Sequence, residues 1–374
     1  MRVAFILVKF PLLSETFILN QIVGIINRGH EVDIYTYKLG DTYNMHPDVE
    51  KYRLLDRTYY VVPKRPINYF WRGLQGLIQL LNPYDIIHCQ YGPLGEKVML
   101  LRHLGIFKGK LITSFRGFDI SRYIQQYGSN VYSQLFEQGD LFLTACENFK
   151  HQLLKLGCNE QKAIVLRSGI DCDKFAFALR RPDPDGRIRI VTTGRLVEKK
   201  GIEYGIRAVA KLAKINQNLE YLIVGDGPLR ENLQQLIQEL DVSDTVKLLG
   251  WKQQQEVVDI LDKAHILIAP SVTAKNGDRE GIPNVLKEAM AMGLPVIGTR
   301  HSGIPELVKD GITGFLVPER DVNALAEKLS YLIENPQLWA QLGESGRKLV
   351  EEDYDSNKLN DELVDLYQQL LSEK

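Results

Sequence analysis

EGIPNVLKEAMAMGLPVIGT, residues 280–299, sets two carboxylates, Glu280 and Glu288, on either side of a helix start. Pro283 suits the first helical turn, where a missing N–H costs nothing, and Gly293 followed by Pro295 ends the helix before a strand over 295–298. Gly281 lets the backbone approach a ligand closely, and the backbone of Ile282, Pro283, Asn284 and Val285 would face it, its free N–H groups a ready site for a phosphate. Glu288 lies about one turn deeper; at ~1.5 Å rise per residue it reaches a neighbouring ribose hydroxyl rather than that phosphate. Glu280, ahead of the helix, can hold a sugar hydroxyl. Read without further context, the same pair is also compatible with a capped helix carrying one solvated acid.

Working outward, apolar β-rich runs alternate with helical patterns along the whole chain, the signature of parallel sheets covered by helices on both faces. Strands are expected over 3–8, 31–37, 85–89, 110–115, 141–145 and 163–167, then over 189–193, 220–224, 245–249, 266–269, 295–298 and 314–317. RRPDPDGR, residues 180–187, has the prolines, glycine and charges of a linker. This gives an α/β protein of two doubly wound Rossmann-like domains, 1–180 and 181–355, and 374 residues suit two domains of ordinary size. In such sheets ligands bind beyond the carboxyl ends of the strands, so two domains facing each other would enclose a cleft for a two-part ligand.

Composition is that of a soluble globular enzyme, 44% apolar and 25% charged. The net charge of −1 hides an asymmetry: residues 1–180 hold 22 Lys and Arg against 16 Asp and Glu, and the remainder 24 against 31. A basic first half suits an acidic membrane surface or a phosphate-bearing acceptor, and nucleic acid is not an expected partner. Cys89, Cys146, Cys158 and Cys172 have neither CxxC spacing nor histidine partners, so no zinc site or disulfide framework is expected and a reducing cytoplasm is the simplest location. No apolar run is long enough to span a bilayer or to act as a signal peptide, which leaves peripheral contact at the inner face of the plasma membrane. Residues 63–81 combine Lys64, Arg65 and Arg72 with Tyr69, Phe70 and Trp71, a pattern for an interfacial helix or for a surface helix packed on its own core.

The acid-x7-acid stretch, with its continuation HSGIPELVKDGITGFLVPERD over 301–321, resembles retaining nucleotide-sugar glycosyltransferases of family 4 with the GT-B fold, and within them the exopolysaccharide subset of colanic-acid type. The resemblance covers nearly the whole chain. It implies that Glu288 holds the nucleotide ribose, that Glu280 holds the transferred sugar, and that backbone amides around residues 281–285 meet sugar and diphosphate. It implies that a last helix, about 356–372, crosses back onto the first domain, and that the partners are a nucleoside diphosphate sugar, UDP foremost, and a glycan or lipid-linked oligosaccharide acceptor.

Further constellations follow the strands. In TTGRLVEKKG, residues 192–201, Arg195 and Lys200 sit directly after a strand and resemble the family's paired diphosphate ligands; Lys199 qualifies equally on charge, and Gly194 and Gly201 favour Lys200. Gly225 in VGDGPLR and Gly250 in LLGW offer close backbone approach on the nucleotide side, with Trp251 expected to pack. In the first half, Ser14 in KFPLLSETF caps the next helix or meets the donor. TSFRGFDIS, residues 113–121, breaks the family pattern: Arg116, beside Gly117, stands where many relatives have histidine. An arginine stays charged and neutralises a donor phosphate or a sugar carboxylate instead of exchanging protons. His88 in DIIHCQYG is either an imidazole near the cleft or a partly buried strand-end histidine. The DxD-like strings 171–173 and 183–185 read as structural, so no metal or other cofactor is expected. The rival readings are a nucleotide-sugar epimerase of the same architecture and a glycan-binding protein without turnover.

Overall fold

Runs such as IIHCQ and ILIA bury every residue, as strands covered on both faces must. The computed structural model in which they are seen describes all residues except 43–44, 61–82, 106–108, 217 and 374. The helix expected over 63–81 lies outside the described residues. Two units emerge, Met1–Gly169 with Ser356–Lys374, and Ile170–Asp355.

The first unit carries β1 Arg2–Phe10, β2 Glu31–Leu39, β3 Thr58–Tyr60, β4 Ile86–Gln90, β5 Lys110–Phe115, β6 Leu141–Thr144 and β7 Ala163–Val165. They form one sheet in the order β3-β2-β1-β4-β5-β6-β7, every pair parallel. The order reverses at β1 and β4, so the loops after these strands diverge and leave a crevice at their carboxyl ends. Helix Ser356–Ser372 belongs to this unit. Leu363, Val364, Tyr367 and Leu370, one face of that helix, join Ile18, Leu19, Ile22 and Ile25 of helix Thr16–Asn27 in a single core. Burial of each such side chain is worth about 1.5–3 kcal/mol. The orientation is fixed by Arg28, whose Nε donates to Asp361 at 2.7 Å, and by Asn360, whose Nδ2 donates to the Asn20 carbonyl at 3.2 Å.

The second unit carries β8 Ile188–Thr193, β9 Leu219–Val224, β10 Val246–Gly250, β11 Ile266–Ala269, β12 Val296–Thr299 and β13 Phe315–Val317. Their order is β10-β9-β8-β11-β12-β13, again all parallel, with its reversal at β8 and β11. The core fills both faces and is anchored by Trp339, wholly buried, whose indole N–H donates to the Leu332 carbonyl at 2.8 Å.

The division between units falls at Gly169 and Ile170, ahead of the stretch 180–187 read as a linker. Arg180 explains the difference. It is 7% exposed, its Nε and Nη2 donate to the Met292 carbonyl at 3.2 and 2.7 Å, and its Nη1 donates to the Asp262 carbonyl. A charge at the head of a proline-rich run looks solvated in sequence, whereas here it staples that run to the second unit.

Candidate functional site

The loops at the reversal point of the second sheet bring the predicted residues together. Gly194 follows β8 with φ +147°, and its N–H donates to the Val224 carbonyl at 2.9 Å; Gly225 follows β9 with φ +135°, and its N–H donates to the Gly250 carbonyl at 2.8 Å. A Cβ on Gly225 would lie 2.0 Å from the Gly194 carbonyl oxygen. The three glycines therefore interlock at the carboxyl ends of β8, β9 and β10, which only backbone without side chains permits. Trp251, next in line, is 54% exposed, so the packing expected of it is absent.

After Gly194 the chain makes a 3-10 turn, Glu198–Lys200, ended by Gly201 in the left-handed region. The Lys200 stem runs over Gly194, where an added Cβ would sit 3.1 Å from its Cε. Lys200 Nζ stands 3.0 Å from Glu280 Oε2, and Lys199 Nζ stands 3.3 Å from Glu280 Oε1 and 3.2 Å from Asp278. Both lysines thus clamp Glu280. Burial pushes the Glu280 carboxyl up, but Lys200 and Lys199 outweigh it and hold the group at about 2, ionised at any working pH. Arg195 is exposed and makes no ion pair among the described residues.

Helix Asn284–Ala291 starts just beyond Glu280. Pro283 is the residue before its first turn rather than within it, and having no N–H it cannot be one of the amide donors expected there. The amides of Gly281, Ile282, Asn284 and Val285 have no acceptor among the described residues, so four donors cluster at the positive end of the helix. Farther along, the Glu288 carboxyl makes no hydrogen bond or ion pair among the described residues. Burial raises its carboxyl to about 7, against the opposing pull of Lys287 and Lys200. Lys200 therefore acts on both acids. The site pairs one permanently charged carboxylate with one that titrates near neutrality.

The remaining predicted residues belong to the first unit. Arg116 follows β5; its Nε and Nη2 donate to Gln90 Oε1 at 3.1 and 2.9 Å, its Nη2 also donates to Gln21 Oε1 at 2.9 Å, and the guanidinium lies 4.9 Å from the centroid of the Phe17 ring. No carboxylate among the described residues forms an ion pair with it. Gly117, at φ +149°, opens a turn in which buried Asp119 accepts from the N–H groups of Gly92, Arg116 and Gly117 at 2.9–3.0 Å. Ser14 lies within a 3-10 turn, Leu13–Glu15, and the cap position of helix Thr16–Asn27 is taken by Glu15, so Ser14 is not that cap.

His88 does not meet the expectation of an imidazole offered to a ligand. It is fully buried, with Nδ1 2.6 Å from the Tyr367 hydroxyl and Nε2 2.7 Å from Ser114 Oγ. Burial, reinforced by Arg116, lowers it to about 3, so the ring is neutral and both nitrogens are engaged, Nδ1 tying β4 to helix Ser356–Ser372 and Nε2 tying it to β5.

Residues 177–349 match the family model of glycosyl transferases group 1, and residues 14–174 match that of glycosyltransferase family 4. WcaL of Escherichia coli K12, named as a colanic acid biosynthesis glycosyltransferase, is 37% identical over 99% of this chain and 100% of its own. The chain belongs to glycosyltransferase family 4. AmsK of Erwinia amylovora, an amylovoran biosynthesis glycosyltransferase, is 34% identical over 99% of this chain and 100% of its own. The GT-B fold is shared with a Rickettsia africae glycosyltransferase at TM-score 0.79 and 20% identity, over 100% of this chain and 99% of that one. Anabaena HepE, solved with UDP, gives TM-score 0.80 and 17% identity over 99% and 100%.

As a family 4 glycosyltransferase the protein is an enzyme of class 2.4, and other acids in its sequence take structural parts. Asp171 Oδ1 accepts from the Asp173 N–H at 3.2 Å, and Asp183 pairs with Arg189 at 2.6 Å and lies 3.5 Å from His265. Lys199 was open in the sequence only as an alternative to Lys200. His301 and Glu319 were not singled out, although both lie in the quoted stretch 301–321; the available signal was a histidine placed directly after a strand's carboxyl end. His301 Nε2 accepts from the Glu280 N–H at 3.1 Å, and its Nδ1 stands 2.6 Å from Glu319 Oε1.

Proposed function

We propose that the enzyme moves a hexosyl unit, with retention of anomeric configuration, from a UDP-sugar to a hydroxyl of a growing, lipid-linked exopolysaccharide repeat unit. One observation carries the reading: Glu280 clamped by Lys199 and Lys200, at a helix start with four unengaged amides and with an unpartnered Glu288 one stretch beyond. The names of WcaL and AmsK support the exopolysaccharide setting, and the UDP and UDP-glucose complexes of HepE support the donor.

In this reading the amides of Gly281, Ile282, Asn284 and Val285 receive the sugar and diphosphate. Lys200 and Arg195 stabilise the charge that develops on the departing diphosphate, and preorganised charges of this kind contribute most when water is excluded. Glu280 orients the donor sugar and Glu288 accepts from the ribose hydroxyls. Gly194, Gly225 and Gly250 let backbone approach the nucleotide. The bond from the anomeric carbon to the diphosphate oxygen breaks, the acceptor oxygen bonds to that carbon, and the acceptor proton passes to the leaving diphosphate. Lysine and arginine supply the neutralising charge, so the reaction is proposed to need no metal. Within the first unit, Arg116 beside Gly117 is proposed as an anion contact. Among the described residues no helix is long and apolar enough to cross a membrane, and the proposed setting is peripheral, at the cytoplasmic face where a lipid-linked acceptor is presented.

Calorimetric titration with UDP-, GDP- and ADP-sugars, followed by NMR of the product anomer formed on a lipid-linked acceptor, tests the proposal. Selective UDP-sugar binding with an anomer matching the donor supports it. Conversion of the donor sugar without an acceptor supports an epimerase instead, and an inverted anomer refutes retention.

A further inference from the structure

The loop between β11 and the helix at Asn284 carries Glu280, and its hold on the rest of the unit is unusually polar. At its start, the Thr273 N–H donates to Glu319 Oε2 at 2.8 Å; near its middle, Lys199 pairs with Asp278 at 3.2 Å; near its end, the Glu280 N–H donates to His301 Nε2 at 3.1 Å. His301, after β12, is 1% exposed, and Glu319, after β13, stands 2.6 Å from its other ring nitrogen. Glu319 is itself fixed from several sides, by the Thr273 amide and hydroxyl and by Arg320 Nη1 at 3.5 Å.

These contacts determine the tautomer. Glu319, a carboxylate, can only accept, so His301 Nδ1 carries the proton; Nε2 then presents a lone pair to the Glu280 N–H. The chain Glu319–His301–Glu280 is thus directional, and it sets the backbone from which the Glu280 carboxylate reaches Lys199 and Lys200. We infer that His301 and Glu319 are positioning residues for Glu280: they act on the sugar through the placement of that carboxylate and touch neither donor nor acceptor themselves. This inference rests on the reading of Glu280 as the sugar-orienting acid.

The side-chain chemistry of substitutions separates the two bonds. In His301→Gln the amide oxygen can take the place of Nε2 and accept from the Glu280 N–H, whereas in His301→Asn the shorter amide can still donate to Glu319 but cannot reach Glu280. The full-length protein and both variants are compared in three ways: kcat and KM with a UDP-sugar, Kd for UDP by calorimetry, and hydrogen exchange of a peptide spanning residues 274–285. Misplacement of an orienting group costs on the order of tenfold or more in turnover. The expected result is that His301→Asn loses about tenfold or more in kcat, keeps Kd for UDP within about twofold, and exchanges faster in that peptide, while His301→Gln recovers most of both losses. Equal behaviour of the two variants, a near-normal His301→Asn, or a loss that appears only as weaker UDP binding would overturn the inference. If the wild-type enzyme transfers no sugar at all, the functional proposal fails, and the exchange comparison still decides whether His301 holds the Glu280 backbone.

Discussion

Replacing Glu288 by glutamine keeps the side chain's shape and removes its ionisation, so it isolates what the buried carboxyl costs the fold. Burial raises that group from an ordinary 4.5 to about 7. At 1.36 kcal/mol per unit, the displacement corresponds to about 3 kcal/mol. The unfolded chain gives up its proton first as pH rises. Between pH 4.5 and 7 the native state therefore holds more protons than the unfolded one, and stability falls with rising pH until the whole penalty is present above 7. Glu288→Gln has no such titration. Urea unfolding of wild type and variant should give a stability difference that is small near pH 4.5 and grows to about 3 kcal/mol in favour of the variant at pH 8, on top of any constant offset from the amide. The same variant should bind UDP about ten- to a hundredfold more weakly at pH 8, because a charged acceptor contributes about 1.5–3 kcal/mol more than the alternative of leaving the ribose hydroxyls poorly met. A stability difference that does not change with pH would refute the reasoning, since it would mean that Glu288 ionises as freely in the fold as in the unfolded chain.

Lys200→Ala should lower turnover by about a hundredfold or more with the fold intact, one preorganised charge contact being worth ~3 kcal/mol in the transition state; steady-state rates near those of wild type would remove it from the diphosphate. Lys199→Ala leaves Glu280 with a single clamp, so the pH below which acid unfolding sets in should rise, measured by circular dichroism between pH 2 and 5; an unchanged acid limb would mean that Lys200 alone sets the Glu280 charge. Activity should survive excess EDTA, and a complete loss restored by magnesium or manganese would point to a metal in the reaction. Arg116→His should reduce rates with UDP-glucose and UDP-glucuronate in equal proportion if Arg116 meets the diphosphate, which we favour because every donor carries one; a glucuronate-selective loss assigns it to a sugar carboxylate, and no loss with either donor removes it from the site.

Much of the architecture was legible because its physics is local. The runs 110–115 and 266–269 match β5 and β11 residue for residue, since an apolar β-branched stretch between polar turns has few alternatives. The strand Thr58–Tyr60 was not foreseen: three residues carry no period, and only pairing with β2 makes them a strand. In the site, the glycines were readable because a strand followed by glycine limits what the backbone can do, whereas pairing was not. Nothing in Glu280 itself says that two lysines some eighty positions earlier will reach it, and adjacent Lys199 and Lys200 look interchangeable until the turn at Gly201 directs both inward. For His88 the sequence left two readings open, and the structure supports the buried one. The residue that encloses it, Tyr367, comes from a helix at the far end of the chain.

That helix has a consequence for how the protein is made. The first unit is interrupted in sequence by the whole of the second, so its core lacks Leu363, Val364, Tyr367 and Leu370 until the ribosome has passed those codons. Domains tend to fold in the order in which they emerge. Here the second unit, continuous from Ile170 to Asp355, can complete itself while the first still waits with Ile18, Ile22 and Ile25 uncovered and His88 missing its phenol partner. A nascent chain stalled near residue 355 should therefore be chaperone-dependent in its earlier half and protease-resistant in its later one, an inversion of the usual order of synthesis.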